Sequence, residues 1–277
     1  MPAAVTPPIL CYHKVDTRHE LGVTRLGPRV FRRQMEALAR EGYRTLGSAE
    51  LLDPEGGGRE RAGARDDRPA VVLTFDDGYE ALARHAFPVL ADLGLRALVF
   101  VVTDYAGCDN DWDVHYGWRR FRHLSWDDLA RWQERGIEVH SHGATHARLT
   151  WLSDGQVADE LGRSRAAITR RLGTTPAGVG YPFGAVDARV RALVAAAGYV
   201  LGFAGPGKLR GSRSGAPDRL ALRRRPVYAW DGFAPPWVLR EDAVGGLWMA
   251  AARIAHRFAV GTSIIRRIGG ARAPGGE

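Results

Sequence analysis

Two acidic side chains stand side by side at Asp76 and Asp77, inside Thr74-Phe75-Asp76-Asp77-Gly78-Tyr79. The apolar run Ala70-Val71-Val72-Leu73 precedes them. A buried strand therefore runs into two carboxylates and then a glycine. Like charges held this close raise each other's pKa, and a nearby cation relieves the cost. The pair asks for a metal ion, and the chain supplies further ligands. His142 and His146 are four residues apart in Val139-His140-Ser141-His142-Gly143-Ala144-Thr145-His146, behind another short apolar run. A tight loop or one helical turn places both rings on one side. Two neutral imidazoles and one carboxylate make a three-ligand catalytic site for zinc or a similar divalent ion, with positions left open for water. The acidic pair then divides its roles. One carboxylate binds the metal, and the other serves as base for the bound water.

These residues need strand ends to hold them. Apolar periodicity and turn residues predict strands at 9–13, 43–46, 70–75, 97–103, 137–139, 178–181, 200–203 and 220–228. Helices are predicted at 31–41, 80–93, 125–135, 153–171 and 187–197, with Ser125 and Ser153 as N-caps. Repeated strand–helix units argue for a parallel sheet. Roughly seven such units favour a (β/α) barrel, incomplete or distorted, over an open sheet. Chemistry in such barrels gathers at the C-terminal ends of the strands, where the acidic pair is expected.

Thr-Phe-Asp-Asp-Gly followed by Ser-His-x-x-x-His resembles the polysaccharide deacetylase family, a carbohydrate esterase group with the NodB-homology fold. The similarity in element order covers residues 7–230. The resemblance implies that Asp76 is the catalytic base, that Asp77, His142 and His146 bind the metal, and that the metal is zinc, with cobalt or nickel as alternatives. It gives no role to His140, which is read as a hydrogen-bonded strand-end residue. Val179-Gly180-Tyr181-Pro182-Phe183-Gly184 is similar to the family's third motif. Gly180 stands where many members carry arginine, and Tyr-Pro-Phe-Gly is closer to deacetylases acting on poly-N-acetylglucosamine. Tyr181 and Phe183 are supporting residues on this reading, with a backbone N–H near Phe183 aimed at a developing oxyanion.

The family's late Leu-x-His, which carries the general acid, is missing after Ser212. His13 in Leu10-Cys11-Tyr12-His13-Lys14 resembles the histidine that takes this part in the poly-N-acetylglucosamine enzymes, so His13 is the expected acid. The relatives carry a similar arginine before their last strand, and of the three arginines in Leu222-Arg223-Arg224-Arg225-Pro226 the resemblance fits Arg224 best as the partner that orients Asp76. The implied reaction is metal-dependent removal of the N-acetyl group from an acetamido sugar, with a bell-shaped pH profile. The substrate is an N-acetylglucosamine-type glycan, oligosaccharide or lipid-linked sugar. Two alternatives stay open: a non-catalytic carbohydrate-binding domain, and a metal-dependent esterase or cyclic amidase on the same fold.

Composition sets the remaining bounds. The 277 residues carry 45% hydrophobic and 25% charged residues, enough for a sizeable core. The net charge of +8 comes from arginine, since Lys14 and Lys208 are the only lysines. No nucleic-acid recognition pattern accompanies it. Cys11 and Cys108 do not make a disulfide framework, and Cys11 reads as a reduced core residue. The N-terminus lacks the pattern of a secretory leader, and no run is long enough to span a bilayer. A cytoplasmic location, or the cytoplasmic face of a membrane, is expected, with export as an alternative. A loop carrying Tyr105, Trp112, His115, Tyr116, Trp118 and Phe121 is placed to stack on sugar rings; Trp112, Tyr116 and Trp118 are the candidate substrate contacts. The expected domains are 1–230, catalytic, and 231–277, a partly helical extension. Its basic amphipathic helix suits contact with an anionic membrane or packing on the barrel.

Overall fold

The computed structural model describes residues 7–18, 24–53, 68–110, 120–206, 218–229 and 231. Their strands are β1 (Ile9–Tyr12), β2 (Lys14–Val15), β3 (Arg25–Leu26), β4 (Arg44–Thr45), β5 (Ala70–Phe75), β6 (Ala97–Val101), β7 (Ile137–Ser141), β8 (Gly178–Gly180), β9 (Leu201–Ala204), β10 (Leu222–Arg223) and β11 (Arg225–Pro226). Nine of them form one parallel sheet in the order β10-β9-β8-β7-β6-β5-β1-β11, with β4 added at the start of β5. The two ends of this path are consecutive in the chain, separated by Arg224 alone. β10 pairs with β9, and β11 pairs with β1. One interrupted strand thus closes the sheet into a barrel, and counting it once gives the seven expected positions. Expected as one strand over 220–228, the segment is split at Arg224, where pairing passes from β9 to β1.

The helices are α1 (Pro28–Arg40), α2 (Ser48–Leu52), α3 (Ala81–His85), α4 (Phe87–Asp92), α5 (Trp126–Gln133), α6 (Asp154–Leu172) and α7 (Ala188–Ala196). Ser125 and Ser153 cap α5 and α6, each within a capping box. The single helix expected over 80–93 is two. Pro88, in the first turn of α4, has no N–H to continue the ladder from α3. Among the described residues no helix is long and apolar enough to cross a membrane.

Side chains alternate between two layers, as a period of two requires. Leu10, Tyr12, Val71, Leu73, Phe75, Val99 and Val139 face outward and pack against Phe31, Met35, Leu90 and Trp132 of the helices. Ile9, Val72, Leu98, Phe100, Leu201 and Phe203 fill the barrel. The same alternation, carried to the C-terminal ends, turns positions 13, 76, 142 and 224 inward. The barrel's apolar filling therefore ends in a layer of ionisable groups. At the opposite end, Glu138 accepts from Ser48 N–H and pairs with Arg96, both at 2.9 Å.

Candidate active site

Asp76 follows β5, and its main-chain N–H donates to Tyr12 O at 2.9 Å. Asp76 is 4% exposed and Arg224 is 3% exposed. Arg224 grips it with two parallel bonds, Nη1 to Oδ1 at 2.5 Å and Nη2 to Oδ2 at 2.8 Å. Burial pushes the Asp76 carboxyl up, but Arg224, with His142 and His13, outweighs it and holds the group well below the usual carboxylate range. Asp76 is thus ionised at any working pH. The arginine missing at position 180 is replaced from the other side of the barrel.

Asp77, the next residue, adopts a left-handed backbone with φ of 67°. That turn points its carboxylate away from Arg224 and toward two histidines. His146 Nε2 is 3.3 Å and His142 Nε2 3.5 Å from Asp77 Oδ1. His123, which the sequence did not single out, steadies the turn by donating from Nδ1 to Asp77 O at 2.7 Å. His142 Nδ1 lies 2.7 Å from Gly180 O. A carbonyl only accepts, so Nδ1 carries the proton and Nε2 presents its lone pair to the site. One ligand atom each from Asp77, His142 and His146 lies within 4.8 Å of the others. This donor set of one carboxylate and two imidazoles fits a divalent metal such as zinc.

The loop carrying the histidines is shaped from outside. Buried Glu160 of α6 accepts from Ala144 N–H at 2.9 Å, Thr145 N–H at 3.0 Å and Thr145 Oγ1 at 2.6 Å. His146 has a φ of 62° and Phe183 a φ of 59°. With Asp77, these are the three non-glycine residues of positive φ among the described residues. All three lie at this site, where such strain is characteristic of functional geometry. Gly180 is required beneath them. A Cβ there would approach Phe100 Cγ to 2.8 Å and His142 Nδ1 to 3.1 Å.

His13 follows β1, and the parallel register Tyr12↔Phe75 brings it beside Asp76. Its Nε2 is 3.9 Å from Asp76 Oδ2, and its side chain is 25% exposed, the most open of the group. Burial lowers its pKa to about 4, against the pull of the Asp76 charge. It is therefore neutral at rest near pH 7 in the metal-free protein. Cys11, two residues earlier, is more than a core residue: its Sγ donates to Asp76 Oδ2 at 3.5 Å.

The remaining expectations divide. Phe183 packs its ring 4.8 Å from His146. Tyr181 faces outward, because it is one step out of phase with Gly178 and Gly180. It is fully buried in the layer under α6 and α7, and its hydroxyl donates to Leu220 O at 2.7 Å. It supports the turn from behind and does not line the site. His140 accepts from Gly178 N–H at 3.3 Å, one layer below the site. Tyr105 and Phe121 are buried, so neither offers a face to a sugar. Trp112, His115, Tyr116 and Trp118 lie outside the described residues, as does the extension after residue 231.

Residues 63–202 match the family model described as polysaccharide deacetylase. The chain is 25% identical over 198 residues to YxkH of Bacillus subtilis (strain 168), whose name carries the same family description. The match takes in 70% of this chain and 63% of that relative, so the chain spans less than two thirds of its length. The Streptococcus pyogenes deacetylase PplD, solved in complex with acetate, superposes with a TM-score of 0.70 at 20% identity, over 86% of this chain and 99% of that one. IcaB from Ammonifex degensii does so with a TM-score of 0.65 at 23% identity, over 84% and 97%. At these identities the likeness establishes the fold.

Proposed function

The chain belongs to the polysaccharide deacetylase family, and from that premise we propose that it is a metal-dependent hydrolase removing the N-acetyl group from an acetamido sugar. The products are acetate and the free amine. The observation that carries the proposal is a division of labour at the barrel mouth. Asp77, His142 and His146 converge as a ligand set, while the adjacent Asp76 is turned away and held by Arg224. A structural ion pair would not need a second carboxylate with two imidazoles converging beside it.

Asp77, His142 and His146 would hold the ion, for which zinc is the proposed identity. Such an ion supplies Lewis-acid polarisation of the acetyl carbonyl and a water made acidic near neutral pH. Asp76, ionised at rest, accepts the proton of the attacking water. Arg224 keeps both carboxylate oxygens oriented for that transfer. The amine is a poor leaving group and must be protonated as the C–N bond breaks. His13 is the donor, and because it is neutral at rest, it hands on the proton that Asp76 has taken from water. Its Nε2 lies 3.9 Å from Asp76 Oδ2, a gap that one bridging water spans for the relay. The main chain around Phe183, in its left-handed turn, supplies the N–H for the oxyanion.

The substrate is an N-acetylglucosamine-type glycan or lipid-linked sugar. The test is acetate release from N-acetylglucosamine oligomers and lipid-linked N-acetyl sugars, after chelation and readdition of zinc, cobalt or nickel. Asp76→Asn is expected to abolish turnover while the protein still takes up one equivalent of metal. A parent protein that binds no divalent ion would overturn the assignment.

A further inference from the structure

Beside the ligand set lies a second convergence of metal-ligating atoms. Cys11 Sγ, His13 and a carboxylate oxygen of Asp76 also lie within 4.8 Å of one another. The cause is register. Positions 11 and 13 of the β1 segment face inward with a period of two, and parallel pairing with β5 sets them against Thr74 and Asp76. Sγ is 3.5 Å and His13 Nε2 3.9 Å from the same oxygen, Asp76 Oδ2. Thiolate, imidazole and carboxylate together form a borderline-soft donor set, suited to zinc or cobalt and poorly suited to magnesium or calcium.

We propose that Cys11, His13 and Asp76 form a second, weaker divalent-metal site, and that filling it inhibits the enzyme. The weakness follows from Arg224, whose guanidinium is bonded to both Asp76 oxygens and opposes an added cation. The carboxylate oxygen keeps a further lone pair, so the arginine disfavours the ion without occupying its place. Binding is a simple exchange. The Cys11 S–H bond breaks, its proton goes to solvent, and a sulfur–metal bond forms with no change of oxidation state. Inhibition follows because the ion takes up both Asp76, the base, and His13, the donor. An enzyme needing one ion would thus be shut down by excess of the same ion. The inhibition rests on the deacetylase reading; the site itself rests on geometry alone.

The test uses the full chain with Cys108→Ser, so that Cys11 is its only cysteine. The metal-stripped protein is titrated with Co(II), following bound metal by equilibrium dialysis and thiolate-to-cobalt charge transfer by near-ultraviolet absorption. The first equivalent is expected to bind without that band. A second, weaker equivalent brings the band in, and acetate release falls as it binds. Cys11→Ser and Cys11→Ala, each in the same background, are expected to lose the band and the second equivalent while keeping the first. A parent that stops at one equivalent overturns the proposal. So does a second equivalent that survives in both Cys11 variants. Two equivalents with the band, but no acetate release at any loading, would leave the second site standing and remove the deacetylase reading.

Discussion

Replacing Arg224 by methionine isolates the energetics of the buried pair. The two groups are 3% and 4% exposed and joined by two short bonds. Methionine keeps much of the volume and leaves Asp76 as an uncompensated buried charge, a change that costs about 3–5 kcal/mol. For a chain of this size that lowers Tm by about 6–20 °C. The deficit depends on pH, and its sign can be worked out. In the parent, Arg224 holds the Asp76 carboxyl below its ordinary value. That contribution is present above the unfolded pKa and is lost as pH falls through the folded one. Without Arg224, burial acts unopposed and raises the carboxyl, so charging it costs stability as pH rises. The gap between parent and variant is therefore widest near pH 7 and narrows toward pH 4. Urea unfolding of metal-stripped protein across that range measures it. The double variant Asp76→Asn, Arg224→Met should recover much of the loss, because neither charge is left alone. A deficit under about 1 kcal/mol at pH 7, or one constant from pH 7 to pH 5, would refute the reasoning.

Other perturbations test the supporting geometry. His13→Gln is expected to lower kcat by about 10²–10⁴-fold with uptake of the first metal equivalent unchanged, and an unaltered kcat would remove His13 from the relay. Because burial depresses the His13 pKa to about 4, the metal-free parent loses up to about 3 kcal/mol from this group as pH falls from 6.5 to 4; the slope should flatten in His13→Gln. Glu160→Ala strands the N–H groups of Ala144 and Thr145 in the histidine loop and is expected to weaken metal binding by about 10–100-fold, read by competition with a chromophoric chelator. Gly180→Ala drives a methyl into Phe100 and His142 and should cost about 1–3 kcal/mol together with metal affinity, measured on the same protein.

Much of this architecture was legible because chemistry and periodicity coincide. Asp76 and His142 lie at the ends of apolar runs, so alternation alone carries them to the barrel mouth. The same rule separates Arg224 from its neighbours. Arg223 and Arg225 share the other face of the strand, and only the middle arginine points in. Applied to Val179-Gly180-Tyr181, it also sets Tyr181 outside, which the motif resemblance obscured. Other features had no local signal. The bond from Cys11 to Asp76 depends on register between β1 and β5, 65 residues apart. His123 and Glu160 act on the site through backbone groups of distant loops, and nothing in their own neighbourhood marks them. The resting charge of His13 depends on burial, which its spacing does not reveal.

The interrupted closing strand also has a consequence in time. Asp76 and Arg224 are separated by 148 residues, and the chain emerges from the ribosome N-terminus first. Through most of synthesis the acidic pair is finished while its guanidinium does not yet exist. The segment that brings it also joins β9 to β1. Ring closure and compensation of the Asp76 charge therefore happen in one event, late in assembly. A nascent or truncated chain ending before residue 224 has an open edge and an unneutralised acid together. On the proposed mechanism such a chain lacks both the closed barrel and the oriented base, so turnover would begin only once Arg224 is in place.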